Sequence, residues 1–158
     1  MISVTPDDEA DKLAHWMALA LAQARLAASQ NEVPIGCVIV LDGAVIGAGF
    51  NQTISRCDPT AHAEIVAIRA AATCIGNHRL VGADLFVTIE PCTMCAGALV
   101  QSRIKRVIFG AAEPRAGALC SSARVLENPG LNHHVDVVSG ICAAQAAILM
   151  ADFFRVRR

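Results

Sequence analysis

Between Val33 and Phe109, short apolar segments alternate with segments of helical composition, and this order most constrains the fold. The strand-like segments are Val33 to Leu41, Ala44 to Phe50, Leu85 to Ile89 and Arg106 to Phe109. Helical composition over residues 61–75 and 94–101 separates the last three of them. Because a strand-helix-strand unit usually places its two strands parallel, the order predicts a sheet that is parallel in part.

The segments around this region predict how the layers are built. Asp42 and Gly43 join the first two strands and favour a tight hairpin turn. A helix is predicted before them over residues 8–30, where apolar residues recur at helical spacing without proline or glycine. A loop over 111–129 with room for one helical piece, a weak strand over 135–138 and a helix over 141–154 follow. The whole predicts one α/β domain over residues 1–158, with three layers, α/β/α, and a mixed five-stranded sheet.

Composition excludes several classes of protein. With 54% hydrophobic and 17% charged residues, the chain is not of the disordered class. Its apolar stretches fall far short of the roughly 18 residues that a membrane helix needs, so we expect no membrane partner. The acidic segment 1–9 lacks the basic and apolar regions of a signal peptide. Seven cysteines without an export signal indicate reduced thiols, metal ligation or catalysis, and a cytoplasmic location.

Charge is unevenly distributed along the chain. The net charge is −1, yet residues 101–158 carry eight Lys or Arg against four Asp or Glu, a balance of +4. Such a basic segment suits a phosphate-bearing partner, and it equally suits a solvated helix end, where cations favour the helix dipole.

Two short motifs carry chemistry: Thr60-Ala-His-Ala-Glu64 and Glu90-Pro-Cys-Thr-Met-Cys95. Cys92 and Cys95 lie three apart at a helix start, where free backbone N–H groups favour thiolates. With His62 they form three ligands for one zinc ion (Zn²⁺) per chain, which leaves the fourth tetrahedral position for water. Glu64 is then placed to carry that water's proton. H-x-E with P-C-x-x-C is the recognised signature of zinc-dependent nucleobase deaminases.

Further segments narrow the resemblance to one branch of these deaminases. They are Val33-Pro-Ile-Gly36, Asp58-Pro-Thr-Ala-His-Ala-Glu64, Val107-Ile-Phe-Gly-Ala111, Leu131-Asn-His-His134 and the tail Asp152-Phe-Phe-Arg-Val-Arg-Arg158. With these, the chain resembles the bacterial tRNA-specific adenosine deaminases nearly end to end. It departs from their usual pattern at Phe50, Glu113 and Cys120.

The resemblance implies a cytidine-deaminase-like fold, a homodimer, and conversion of adenosine to inosine at the wobble position of a tRNA. The partner would be the tRNA anticodon stem-loop. Its adenine would be unstacked and flipped out of the loop, so that the protein can bind it in the active site. Glu64 would be the catalytic proton shuttle. The residues expected to contact RNA are Asn51, Ala63, Glu113, His133, Phe153 and Arg155.

Other interpretations stay open from sequence. The same zinc motifs suit a deaminase of a free base, nucleoside or nucleotide, such as guanine or cytidine. A purely structural zinc module would need a fourth ligand, for which Cys57 or Cys120 is available. Asn51 has an alternative role as a turn residue. His133 has an alternative role as a surface histidine. Trp16 is better assigned to the hydrophobic core than to stacking on a base.

Overall fold

The computed structural model describes residues 6–158, so the first five residues of the acidic N-terminal segment lie outside it. The elements in chain order are α1 (Pro6–Ser29), β1 (Gly36–Leu41), β2 (Ala44–Phe50), α2 (Ala63–Ile75), β3 (Asp84–Ile89), α3 (Thr93–Gln101), β4 (Arg106–Ala111), a 3₁₀ turn (Val125–Glu127), β5 (Asp136–Val138) and α4 (Ala143–Val156). Within the described residues, no helix has the length and apolar character to cross a membrane.

The hairpin turn forms where it is predicted. Asp42 and Gly43 have φ values of 51° and 74°, and Leu41 pairs with Ala44 across the turn. Two consecutive positive φ angles match the right-handed twist of the paired strands. The turn pairs Leu41 with Ala44, and a β-bulge between Ile39 and Val40 then shifts the register by one residue, so that Phe50, at the end of β2, lies opposite Gly36 at the start of β1.

Several predicted boundaries shift by one to three residues, and two of the shifts have a clear local reason. The first strand begins at Gly36 and not at Val33, because the amide of Ile35 bonds back to the Val33 carbonyl in a tight turn. The last helix begins at Ala143, since Gly140 and Cys142 have left-handed φ values of 86° and 55°.

The sheet has the order β2-β1-β3-β4-β5. Strand β1 is antiparallel to both of its neighbours, whereas β3, β4 and β5 are parallel, which confirms the predicted mixed sheet. As a result the carboxyl ends of β2, β3 and β4 lie in one row. This row of strand ends is here called the C-terminal edge of the sheet. Loops at the carboxyl ends of parallel strands are the usual place for a functional site.

Alternate strand residues face opposite helix layers, which confirms the α/β/α architecture. One face meets α2 and α3 through Cys37, Ile39, Leu85, Val87, Val107 and Phe109. The other face meets α1 and α4 through Val38, Val40, Phe86 and Ile108. Trp16 on α1 packs against this second cluster, which agrees with its assignment to the core.

Helix α2 lies unusually close to β2. A Cβ atom on Gly49 would come within 2.7 Å of the Ala63 carbonyl oxygen, and one on Gly47 within 2.5 Å of that of Ala67. Only glycine permits this approach. The fully buried face of α2 is therefore made of small residues such as Ala67, while Ile68 is only partly buried. This close packing holds the first turn of α2 firmly at the C-terminal edge.

Candidate active site

Two helix starts bring the sequence-predicted metal ligands together at the C-terminal edge. His62 immediately precedes α2 and Cys92 immediately precedes α3, and both have extended backbones with ψ of 154° and 176°. A bond from the Gln52 amide to the Ala61 carbonyl fixes the segment before His62. Cys95 follows in the first turn of α3 and is fully buried. The two motifs, some 30 residues apart in sequence, thus meet in space.

The spacing of these donor atoms fits a tetrahedral zinc site. Nδ1 of His62 lies 3.6 Å from Sγ of Cys92 and 3.6 Å from Sγ of Cys95. Zinc bonds of normal length at a tetrahedral angle would separate nitrogen and sulfur ligands by about 3.5 Å. Within residues 6–158, these three are the only His, Cys, Asp or Glu side chains grouped closely enough to hold a metal ion. Two sulfurs and one imidazole leave one tetrahedral position for another ligand.

The three donors also shift one another's protonation. Hydrogen bonds from Cys95 and His62 lower the pKa of Cys92 to about 3. Since the Cys95 thiol holds the proton that it shares with Cys92, the pKa of Cys95 is raised. The bond to Cys92 likewise raises the pKa of His62. One thiolate is therefore formed before any metal binds, as metal ligation requires.

Glu64 lies in the first turn of α2 beside the ligands but outside their group. Its side chain is buried, next to the Cys95 thiol. Burial, reinforced by the nearby Cys92 thiolate, raises the pKa of Glu64 to about 7. A carboxylate that gains and loses a proton near neutral pH is suited to general acid–base work.

Glu90 is a further site residue, to which the sequence assigned no role. It lies one residue after β3 and two before Cys92, and only 4% of it is exposed. Burial disfavours its charge, but hydrogen bonds from Ser121 and from neighbouring backbone amides outweigh this and lower the pKa of Glu90 to about 2. An acid at the end of an apolar strand needs such partners, and this signal could have identified it.

The expected substrate residues Asn51 and Ala63 both lie at the C-terminal edge. Asn51 directly follows β2, is 6% exposed, and is held by a bond from its amide to the Ile35 carbonyl. Ala63 is the first residue of α2, and its side chain is fully buried.

A basic groove lies between the loop after β4 and the last turns of α4. This C-terminal groove has a volume of about 750 Å³, and its lining residues are Glu113, Arg115, Met150, Ala151, Phe154, Arg155, Arg157 and Arg158. Two of the expected RNA contacts, Glu113 and Arg155, are among them. The Glu113 carboxylate accepts a bond from the Arg115 amide, and Arg155 pairs with Asp152 on the surface of α4.

Phe153 does not line this groove, in contrast to the expectation from sequence. Its side chain is 8% exposed and faces the interior, whereas Phe154 is 45% exposed and borders the groove. Adjacent helical residues point about 100° apart, so only one of the two can face a ligand. Phe154 is therefore the aromatic residue exposed at the groove.

His133 also lies away from the ligands. Its Nε2 donates to the carbonyl of Ile104, 2.7 Å away, just before β4 begins. This is the opposite edge of the sheet, separated from the C-terminal edge by the roughly 20 Å length of a six-residue strand. The structure therefore does not bring His133 to the zinc ligands of the same chain.

Comparison with known proteins agrees with this geometry. Residues 10–111 match the family described as the cytidine and deoxycytidylate deaminase zinc-binding region. A tRNA-specific adenosine deaminase of Agrobacterium fabrum is 49% identical over 144 residues, which cover 91% of this chain and 95% of that protein.

Solved structures show the same fold. One, from studies of A-to-I editing by tRNA:A34 deaminases at the wobble position of transfer RNA, superposes with a TM-score of 0.83 at 49% identity. The match covers 85% of this chain and 98% of that one. The guanine deaminase of Nitrosomonas europaea superposes with a TM-score of 0.74 at 20% identity, over 97% of this chain and 86% of its own. At that identity the second likeness concerns the fold alone.

Proposed function

Because this chain belongs to the tRNA-specific adenosine deaminases, within the cytidine and deoxycytidylate deaminase zinc-binding family, we propose that it converts adenosine to inosine at wobble position 34 of a tRNA. The observation that carries the proposal is the group of His62, Cys92 and Cys95 beside a buried carboxylate, Glu64. The basic C-terminal groove supports an RNA substrate over a free base.

In this reaction the three ligands hold zinc and Glu64 moves protons. Zinc, when bound, supplies a water molecule acidic enough to act as a nucleophile near neutral pH. Glu64 takes the proton of the attacking water and delivers it to a ring nitrogen of adenine. The water oxygen bonds to C6, and Glu64 then takes the remaining proton from the new C6 hydroxyl and passes it to the amino nitrogen, so that the bond from C6 to nitrogen breaks, ammonia leaves and the C6 carbonyl forms.

The remaining residues bind and orient the nucleotide. We assign Asn51 a hydrogen bond to the target nucleotide, since it lies at the edge where the ligands gather. We also assign to the backbone of Ala63, in the first turn of α2, a contact with the base. Phe154 and Arg155, with Glu113 across the groove, would hold the splayed anticodon loop.

Incubation with total tRNA tests the function directly. Inosine mapped by sequencing should appear at position 34 of a substrate tRNA, and the Glu64→Ala variant prepared in parallel should produce none. The same preparations would be assayed for ammonia release from guanine and cytidine. Turnover of either small molecule without inosine in tRNA would replace this proposal with that of a free-base or nucleoside deaminase.

We further propose that the protein is a homodimer that works in the cytoplasm, where its tRNA substrate is processed. A single chain leaves large apolar side chains exposed, among them Ile54, Val81 and Ile148 at 68%, 69% and 58%. Association commonly covers such surface. Sedimentation at micromolar concentration should therefore give the mass of two chains, and a monomer would contradict the proposal.

A further inference from the structure

We propose that Glu90 is a positioning residue that clamps the loop 112–121, so that one wall of the C-terminal groove is preformed before RNA binds. The inference rests on the proposed function, because it takes the groove to be the RNA-binding surface. It assigns a role to a side chain that takes no part in metal ligation or proton transfer.

Both carboxylate oxygens of Glu90 are occupied by this loop. Oε1 accepts hydrogen bonds from the backbone amides of Leu119, Cys120 and Ser121 at 3.1, 2.7 and 2.9 Å. Oε2 accepts one from the amide of Glu113 at 3.1 Å and one from the hydroxyl of Ser121 at 2.5 Å. Five donors exceed the roughly four lone-pair positions that a carboxylate offers, so its accepting capacity is filled. Hydrogen bonds to an ionised acceptor are stronger than those between neutral groups.

These bonds join the two ends of the loop. Glu113 begins it and residues 119–121 end it, so the carboxylate lies between the two arms. Within the loop the Gly117 amide donates to the Glu113 carbonyl at 2.8 Å. A Cβ atom on Gly117 would collide with both the Glu90 carboxylate and that carbonyl oxygen. The loop is therefore wrapped closely around the side chain.

The clamp connects two parts of the proposed site. On one side, the Glu90 backbone follows β3 and leads directly to Cys92, and the Ala118 amide bonds to the Pro91 carbonyl at 2.8 Å. On the other side, Glu113 and Arg115 line the groove. Without the clamp, part of the RNA-binding energy would go into ordering the loop, which lowers the apparent affinity in proportion to the competent fraction.

Glu90→Gln tests this with little change in side-chain volume. If the amide keeps its oxygen toward residues 119–121, its NH₂ group faces the Glu113 amide, and two donors then oppose each other. We expect KM for an anticodon stem-loop to rise about tenfold, as for a loop that is competent roughly a tenth of the time. The value of kcat at saturation should stay within about threefold and zinc at one ion per chain, because no group acting on the base is removed.

Limited digestion with trypsin measures how often the loop opens, and it needs no catalytic assay. Arg115 is exposed within the loop, and Arg56 is an exposed arginine in a different loop. Cleavage after Arg115 should accelerate in Glu90→Gln, since its rate follows the unclamped fraction, which rises from a small value to about nine tenths when KM rises tenfold. Cleavage after Arg56, followed in the same digest, should not change.

Two further variants separate the clamp from general destabilisation. Asp84→Asn weakens the ion pair with Arg106, a 2.6 Å contact at the opposite edge of the sheet, and should leave KM and cleavage after Arg115 unchanged. Gly117→Ala disturbs the clamp from the loop side and should reproduce the effects of Glu90→Gln. It also keeps the proposal testable if Glu90→Gln does not fold.

The proposal is overturned if a folded, zinc-loaded Glu90→Gln protein keeps the wild-type KM and the wild-type cleavage after Arg115. It is overturned as well if zinc is lost and kcat falls, because Glu90 would then act through the metal ligands. A wild-type protein that deaminates no tRNA would refute the proposed function instead. The cleavage rates of the variants would still decide whether Glu90 clamps the loop.

Discussion

The guanidinium of Arg157 covers the ring of Phe153, with its Cζ atom 3.5 Å from the ring centroid. Arg157 also donates to the Phe153 carbonyl and to the Asn31 side chain, both at 3.0 Å. It thereby ties the end of α4 to the residues after α1. The aromatic and basic residues of the tail thus differ in their contacts: Phe153 is buried under Arg157, which also lines the groove, while Phe154, Arg155 and Arg158 border the groove without covering Phe153.

The two phenylalanines should respond differently to removal. Phe153→Ala should lower the free energy of unfolding by about 3 to 5 kcal/mol, because it empties a buried position. Phe154→Ala should weaken binding of the anticodon stem-loop by about 1 to 3 kcal/mol, the usual loss for a base-stacking aromatic. Denaturant unfolding and filter binding of both variants measure the two effects, and identical behaviour of the pair would contradict the assignment.

The exposed arginines should set the salt dependence of RNA binding. Each phosphate contact releases counterions, so the double variant Arg155→Gln with Arg158→Gln should flatten the slope of log K against log salt by about 1.5. Filter-binding titrations over a range of salt concentrations give this slope. Zinc content should not change.

Arg157→Gln is a comparison variant, since it removes one positive charge from the groove lining where the double variant removes two. Because this side chain covers Phe153, its loss should reduce the melting temperature, and the double variant should not. A slope that stays at the wild-type value in the double variant would show that the tail is only a solvated helix end.

Glu64→Ala should keep about one zinc ion per chain and lose deamination. The ligands His62, Cys92 and Cys95 remain in place, whereas the proton carrier is absent. General acid–base catalysis contributes roughly 10²- to 10⁴-fold, so kcat should fall by at least that range. Metal analysis and inosine formation measure the two properties, and loss of zinc in this variant would show that Glu64 is itself a ligand.

Cys95→Ala should lose zinc and stability together. Metal binding stabilises the folded state, so a protein without its full ligand set should melt at a lower temperature and no longer respond to a chelator. Cys37→Ala is the control, because Cys37 is an equally buried thiol outside the ligand group. It should lose some stability but retain zinc, as measured by metal analysis and thermal melting. Full zinc occupancy in Cys95→Ala would refute the three-ligand site.

The sequence by itself determined the elements and the metal chemistry. Helical and strand periodicity are local properties, and Asp42-Gly43 specifies its own turn. His62, Glu64, Cys92 and Cys95 belong to two short motifs at helix starts, where the local backbone already fixes how neighbouring side chains point.

Only the tertiary structure decided which distant residues share a site. Strand direction placed His133 at the far edge of the sheet, and helix packing turned Phe153 inward and Phe154 outward. The donors to Glu90 come from 23 to 31 residues further along the chain, through a loop without a periodic pattern. Contacts of this kind depend on how the strands and helices pack, and a local sequence pattern carries no information about that arrangement.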